Sequence, residues 1–280
     1  MFWPLLFKDG TKIRFAHTSF KWQNLAANNA GVTVAIIGIS PVEEKSARLY
    51  SLNGADEVNI TVVANINAYL VAGPDIYVEP EANPLFDVPK MFWGNKPVDG
   101  GHLLMSPDEA RAITQVAPEA APYLRQYFGS QEFIDGKPRI CVWVEDDEQE
   151  AARTIAQLGE RFNSVRDFRL GSKAKETRPA SKFPHRFRQT QGAPGKQSII
   201  VPIHTSETRP NLPVGLLPTG SIISNAAFGI YEAPLWNLAL IASRLHLVWV
   251  ATVCGKLETR YRYSNTLGWN TFPVPLLTEQ

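Results

Sequence analysis

Cysteine is scarce in this sequence: Cys141 and Cys254 are the only two among 280 residues. They are far apart, each within an apolar run, so they form neither a disulfide framework nor the spacing of a metal site. We expect both to be buried as small hydrophobic residues. Such limited use of cysteine suits a reducing compartment, and we therefore expect a cytoplasmic location.

Targeting signals and long hydrophobic runs are also missing. Residues 1–10 contain no basic start followed by an apolar run, so we expect no secretory signal peptide. The most apolar stretch, residues 233–255, is interrupted by Asn237, Arg244 and His246. We therefore expect a core helix there and not a membrane span.

The sequence lacks the common signatures of a catalytic site. It contains no glycine-rich phosphate loop, no G-x-S-x-G elbow and no H-E-x-x-H, and its five histidines are scattered singly. Residues 83–86, Asn-Pro-Leu-Phe, are only superficially similar to the Asn-Pro-Pro-aromatic loop of amino-methyltransferases. The second proline is missing, and no cofactor-binding strand precedes the segment. We therefore assign no catalytic, cofactor-binding or metal-binding residue to this chain.

Hydrophobic residues make up 44% of the chain, which is enough to build a folded core. Residues 11–17 have a strand pattern, and the β-branched run 32–38 is typical of a strand buried on both faces of a largely parallel sheet. Ser106, followed by Pro-Asp-Glu, has the pattern of a helix start. We expect one helix to end near residue 117 and a second to cover 118–128.

Further strands are predicted at 139–144 and 198–203, with a long helix at 146–169 and a final helix at 234–256. Residues 171–197 are basic and rich in Gly, Pro, Ser and Gln, which indicates an exposed loop. Two strands with no crossover helix before them, as predicted at the N-terminus, do not make an α/β domain.

Charge is distributed unevenly along the chain. Residues 1–160 hold 13 Lys and Arg against 21 Asp and Glu, whereas residues 161–280 hold 15 against 6. The basic half indicates a polyanionic partner, with a solvated basic face as the alternative. We expect the nucleic-acid backbone to be bound by basic residues of the 171–197 loop and the C-terminal segment. These are Lys173, Lys175, Arg178 and Arg262.

A second candidate site follows the predicted strand 198–203. Glu207 can accept a hydrogen bond from the amine of cytosine, and Arg209 can donate two to guanine in the major groove. Two positions apart on an extended segment, the side chains project the same way and can recognise one C·G pair. A simple salt bridge between them is the alternative.

Taken together, these residues resemble the C-terminal part of the MmeI-like family, in which an adenine-specific DNA methyltransferase is fused to a target recognition domain and usually to an endonuclease. Five motifs occur in the family's order. They are F-x-W at 20–22, I-N-x-Y-L at 66–70, G-x-x-P-x-D-G-G-x-L-L at 94–104, a segment like S-S-E-x-R at 205–209 and R-Y-S…N-x-F-P-x-P at 262–275.

The resemblance implies an α+β fold, with a target recognition domain at 46–220. The last strands of a Rossmann-like methyltransferase sheet would precede it at 1–45, and a helical segment would follow at 221–280. The implied partner is double-stranded DNA, and S-adenosylmethionine would bind to the intact enzyme through an upstream methyltransferase domain that is missing from this chain. We expect the chain to recognise the target without being active alone. A catalytically inert DNA- or protein-binding subunit with a separate role is the alternative.

The resemblance also suggests roles for individual residues. Asn211 stands in the presumed base-recognition segment, where the family commonly has an aromatic residue, so the recognised sequence is not transferable from a relative. Because a target adenine must leave the base stack to be methylated, Phe20 or Trp22 can stack on the flipped base. Packing of both aromatic rings against the sheet edge is the alternative.

Overall fold

The computed structural model describes residues 2–22, 32–42, 45–53, 57–193, 195, 197–257 and 259–274. Pro275, the last residue of the closing motif, lies outside these ranges. The described part of the chain mixes helices and strands without regular alternation, so the α+β fold class is confirmed.

The helices are α1 (Trp3–Lys8), α2 (Pro107–Val116), α3 (Ser130–Asp135), α4 (Gln149–Thr154), α5 (Ala156–Leu170), α6 (Trp236–Ala242) and α7 (Arg244–Val253). The strands are β1 (Lys12–Trp22), β2 (Val32–Ser40), β3 (Ala47–Leu52), β4 (Val58–Val63), β5 (Phe92–Trp93), β6 (Leu104–Met105), β7 (Leu124–Phe128), β8 (Arg139–Val142), β9 (Ser198–Pro202), β10 (His204–Thr205), β11 (Gly215–Leu217), β12 (Ile222–Ile223), β13 (Ala227–Tyr231), β14 (Lys256–Leu257) and β15 (Arg260–Arg262).

The N-terminal sheet has the strand order β2-β1-β3-β4. In the described part of this sheet, β2 is antiparallel to β1, β4 is antiparallel to β3, and β1 and β3 are parallel. The prediction that 32–38 is buried on both faces of a parallel sheet is therefore wrong: β2 lies at the sheet edge, where Ile36 and Ile39 are 45% and 49% exposed. The sheet continues to Val63, so the boundary expected at residue 45 falls between β2 and β3.

The central sheet has the order β12-β7-β8-β6 and packs against α2 and α5 through buried residues that include Leu103, Val142 and Phe162. Ser106 is the N-cap of α2, as predicted, and its hydroxyl accepts from the Glu109 amide at 3.2 Å. The helix predicted over 118–128 is wrong. A 3₁₀ helix covers Pro118–Tyr123, and the chain then continues as β7 between β12 and β8.

The C-terminal core packs the sheet β11-β9-β13-β5 against α6 and α7. All five residues of β9 are buried. The single helix predicted over 234–256 is two helices bent by 58°, because Ser243 is extended and its hydroxyl caps α7 by accepting from the His246 amide. Among the described residues, no single helix is long and apolar enough to cross a membrane. The bent pair α6 and α7 reaches the required length and apolar composition only when the two helices are taken together.

The long helix predicted at 146–169 is also interrupted. A 3₁₀ helix covers Asp146–Glu148, and α4 and α5 are separated at Ile155, whose backbone is extended. Ile155 is itself buried in the central core. Tertiary burial of this side chain therefore accompanies the break between the two helices.

Arg169, near the end of α5, is fully buried although it belongs to the basic half of the sequence, residues 161–280. Its guanidinium donates at 2.8–3.0 Å to five backbone carbonyls. Burial lowers the pKa of Arg169 to about 10, and nearby Asp99 opposes the shift, so the guanidinium stays charged at neutral pH. The carbonyls belong to Pro97, Val98, Ala180, Phe183 and Arg186.

The D-G-G motif forms the turn beside these carbonyls. The Asp99 carboxylate accepts from the Leu103 amide at 2.6 Å, while Gly100 and Gly101 have φ values of 70° and 88°. Glycine adopts such angles without the steric cost that other residues meet. The motif therefore shapes the turn that presents the 97–98 carbonyls to Arg169.

We predict that Arg169→Ala destabilises the fold by about 3 kcal/mol, because five buried carbonyls lose a charged donor. Urea unfolding measures this change, and hydrogen exchange should show faster exchange in residues 171–188. The control is Arg166→Ala, which removes a half-exposed arginine paired with its exposed neighbour Asp167. Equal stability of the two variants would contradict the stabilising role of the Arg169 hydrogen bonds.

Candidate nucleic-acid interface

A cavity of about 800 Å³ lies where α3, β8, β10, β14 and β15 approach one another. Four arginines line it, and Glu132 is the one carboxylate in this described lining. Glu132 is already engaged, since it accepts from Arg139 Nε at 2.8 Å and from the Gly129 amide at 2.9 Å. The four arginines are Arg139, Arg209, Arg260 and Arg262.

Strand pairing positions one of these arginines in the cavity. β10 pairs with β15 so that His204 lies opposite Arg262 and Thr205 opposite Tyr261. Neither Arg209 nor Arg262 forms an ion pair with a carboxylate in the part of the chain that the structure describes. Their charges are therefore available to an anionic ligand.

His204 experiences this positive field. Burial lowers its pKa, and the charges of Arg262 and Arg260 lower it further. The imidazole is therefore neutral at physiological pH, and the cavity's positive charge comes from arginines.

A second cavity, of about 700 Å³, lies next to the first, and Trp93 and Asn225 line both. Lys96 and Arg188 add two cations to this part, and no carboxylate occurs in its described lining. We call the two cavities together the basic groove. Its lining cations are Lys96, Arg139, Arg188, Arg209, Arg260 and Arg262.

Arg209 lies in the basic groove, but the predicted extended segment is wrong. Residues 206–209 form a turn in which the Arg209 amide donates to the Ser206 carbonyl at 3.3 Å. The two side chains therefore do not project together by strand alternation. Glu207 is exposed, and a hydrogen bond with Thr259 lowers the pKa of its carboxyl group, with smaller contributions that include nearby Lys21.

The simple salt bridge between Glu207 and Arg209 is not present among the described residues. Asn211 does not line either cavity. In the orientation that satisfies its amide, Asn211 donates to the carbonyls of Pro210 and Ala242, both at 3.1 Å. These contacts connect its loop to the end of α6, and a role in base recognition stays a prediction.

The predicted backbone-binding residues divide into two places. Arg262 lies in the basic groove, whereas Lys173 and Lys175 are exposed in the 171–197 segment and Arg178 begins a 3₁₀ helix, Arg178–Lys182. The prediction that this whole segment is an exposed loop is therefore wrong, because His185 and Phe187 are buried in it. Arg178 Nε donates to the Ser172 carbonyl at 2.9 Å, which stabilises the loop. The loop reaches the groove through Arg188, whose guanidinium donates to the carbonyl of the loop residue Glu176 at 3.1 Å.

Phe20 and Trp22 lie at the end of β1, where the strand pairs only with β2. Trp22 is 47% exposed, and its ring centroid is 6.3 Å from that of Phe20. Phe20 also contacts His17 edge-on at 4.6 Å. The adjacent Lys21 influences the Glu207 carboxylate, so the end of β1 approaches the 206–209 turn.

Sequence analysis missed several groove residues. Lys96 and Trp93 lie in or beside the 94–104 motif, but no local pattern distinguishes their exposed side chains from buried ones. Arg139 is the first residue of an otherwise apolar strand and looks like an ordinary flanking charge. Only the tertiary fold brings Asn225 to the same groove.

Fold and groove together define an α+β domain with an open basic groove that suits a polyanion. A family model described as MmeI, target recognition domain, matches residues 72–276, and one described as MmeI, DNA-methyltransferase domain, matches residues 1–51. The chain belongs to the MmeI family and comprises its target recognition domain together with an adjoining part of its methyltransferase domain.

Two relatives agree with this assignment. DNA methyltransferase A of Bacillus subtilis (strain 168) is 38% identical over 276 residues, which are 99% of this chain and 31% of that protein. The solved structure of the Type IIL restriction-modification enzyme MmeI in complex with DNA matches with a TM-score of 0.88 and 34% identity, over 99% of this chain and 37% of the other. The chain thus spans about a third of each relative.

We predict that Arg262→Gln raises the pKa of His204, because it removes a positive charge that disfavours the imidazolium. A pH titration of the histidine ring resonances by NMR measures the change, with the other histidines as internal references. Arg111→Gln, which alters an exposed arginine on α2, is the matched control. An unchanged His204 pKa in Arg262→Gln would show that the groove's field is not arginine-based.

Proposed function

We propose that this chain binds duplex DNA and recognises the target sequence of an adenine-specific DNA methyltransferase in a restriction-modification system. The observation that carries the proposal is the basic groove, whose described lining holds six cations and one carboxylate that is already engaged. Arginine and lysine along a groove neutralise phosphates and gain affinity through counterion release. Membership of the MmeI family and the structural similarity to an enzyme solved in complex with DNA support the same conclusion.

Phosphate contacts and base contacts have separate roles in this proposal. Lys173, Lys175, Arg178 and Arg262 position the duplex without sensing its sequence. Arg209 and Glu207 contact base edges, since Arg209 lies in the groove and Glu207 is an exposed carboxylate on the same turn. Because the two side chains do not project together from this turn, they need not contact the same base.

The methyl transfer would depend on more than this chain. S-adenosylmethionine, bound to the methyltransferase domain, would supply the methyl group. That the present chain contributes no residue to cofactor binding stays a prediction. This chain would hold the duplex and set which adenine is offered, and the adenine must leave the stack to react. Trp22, half exposed at the end of β1, is the better placed of the two aromatic candidates to stack on it. We propose a cytoplasmic location, where such DNA is found.

We predict that the wild-type chain binds duplex DNA with an affinity that falls steeply with salt. Changing Lys173 and Lys175 together to alanine should weaken binding equally on all sequences and flatten the plot of log affinity against log salt by about one unit per lost contact. Fluorescence anisotropy at several salt concentrations measures both effects.

The matched control changes Lys8 and Lys45 to alanine, because both are exposed and lie in the N-terminal part of the chain, outside the 171–197 segment. It removes the same charge and should leave the slope unchanged. Equal effects of the two double variants would show that only net charge matters. No salt-dependent binding by the wild type would contradict the proposed function.

A further inference from the structure

Trp93 occupies the junction of the basic groove, since it lines both cavities. Its side chain is 45% exposed, although burial of so large an apolar surface stabilises a fold. Neither phosphate binding nor the turn at 206–209 accounts for an apolar ring between two groups of cations.

The backbone around Trp93 is held firmly. β5 pairs with β13 so that Trp93 lies opposite Phe228, with ring centroids 4.5 Å apart. The Gly94 amide donates to the Ala227 carbonyl at 3.0 Å, and a Cβ at Gly94 would overlap the Ser224 carbonyl. Glycine is therefore required at 94 for this close approach. The exposed ring is thus preorganised on a rigid support.

Asn225 lines the same two cavities as Trp93. The backbone amide of Asn225 donates to the Asn95 carbonyl at 3.0 Å, which fixes the backbone at this residue. Its side chain is exposed in the groove, and the carboxamide has no hydrogen bond to another described residue. The carboxamide of Asn225 therefore lines the same two cavities as the exposed indole ring of Trp93.

We propose that Trp93 and Asn225 together recognise one A·T base pair, at a position separate from those contacted by Glu207 and Arg209. A carboxamide pairs with adenine N6 and N7 in the major groove, while an apolar surface contacts the C5-methyl group of thymine. No charged side chain that would favour guanine takes part in this contact. Lys96 and Arg188 on one side and Arg260 and Arg262 on the other can hold the flanking phosphates. The inference rests on the proposed duplex binding.

The test begins with selection of bound duplexes from a randomised pool by the wild-type chain. Each thymine of the enriched sequence is then replaced singly by deoxyuridine, which lacks only the C5-methyl group. One replacement should weaken wild-type binding roughly threefold to fivefold, as expected for a lost methyl contact. Trp93→Ala should not sense that replacement, whereas Trp93→Phe should.

Asn225→Ala should lose the preference for A·T at the same pair, a discrimination of roughly 5- to 150-fold in the wild type. The matched control is Trp236→Ala, since Trp236 is 37% exposed but lines neither cavity. This control should keep both the deoxyuridine effect and the base preference.

The outcomes separate this inference from the proposed function. Wild-type binding with no deoxyuridine-sensitive position, or with sensitivity unchanged in Trp93→Ala, overturns the inference alone. Uniform weakening of Trp93→Ala on every sequence also overturns it, since the ring would then be a nonspecific contact. Absence of duplex binding by the wild type overturns the proposed function and the inference with it. The deoxyuridine comparison on the wild type needs no variant to fold.

Discussion

The buried guanidinium of Arg169 is the interaction on which the groove depends. One charged group joins the 97–98 turn to the 180–186 segment through five carbonyls. These two segments lead directly to Lys96 and Arg188, the cations at one end of the basic groove. A buried charge is costly unless every donor is satisfied, and here the carbonyls meet that requirement. One buried arginine therefore stabilises the two segments that present Lys96 and Arg188 to the groove.

Like charges held close together need a compensating partner. The fold brings six cations to one groove, and the carboxylate in its described lining is engaged by Arg139. Burial lowers the pKa of His204, and the charges of Arg262 and Arg260 in the groove lower it further. Bound duplex DNA would bring phosphates to the sides of this protein groove, and the edges of its bases would face the groove floor. This arrangement suits a domain that positions DNA and recognises its sequence.

Local patterns predicted those features that depend on neighbouring residues. The Ser106 cap and strand β9 are confirmed because capping chemistry and β-branched runs act over a few positions. The uneven charge indicated a polyanionic partner. Features that depend on distant contacts were not predictable: β2 is an edge strand through its pairing with β1, and Arg169 is buried by carbonyls up to 72 residues away. The groove residues likewise come from segments that no sequence spacing connects.

The most direct test of sequence recognition by the groove is the base preference of Arg209→Ala compared with the wild type on randomised duplexes. An arginine that donates twice to guanine contributes about 1–3 kcal/mol of discrimination. We expect the variant to lose preference at one base pair, keep it elsewhere and retain its salt dependence. Loss of affinity that is uniform across all sequences, or an unchanged preference at every position, would contradict the assignment of Arg209 to base recognition.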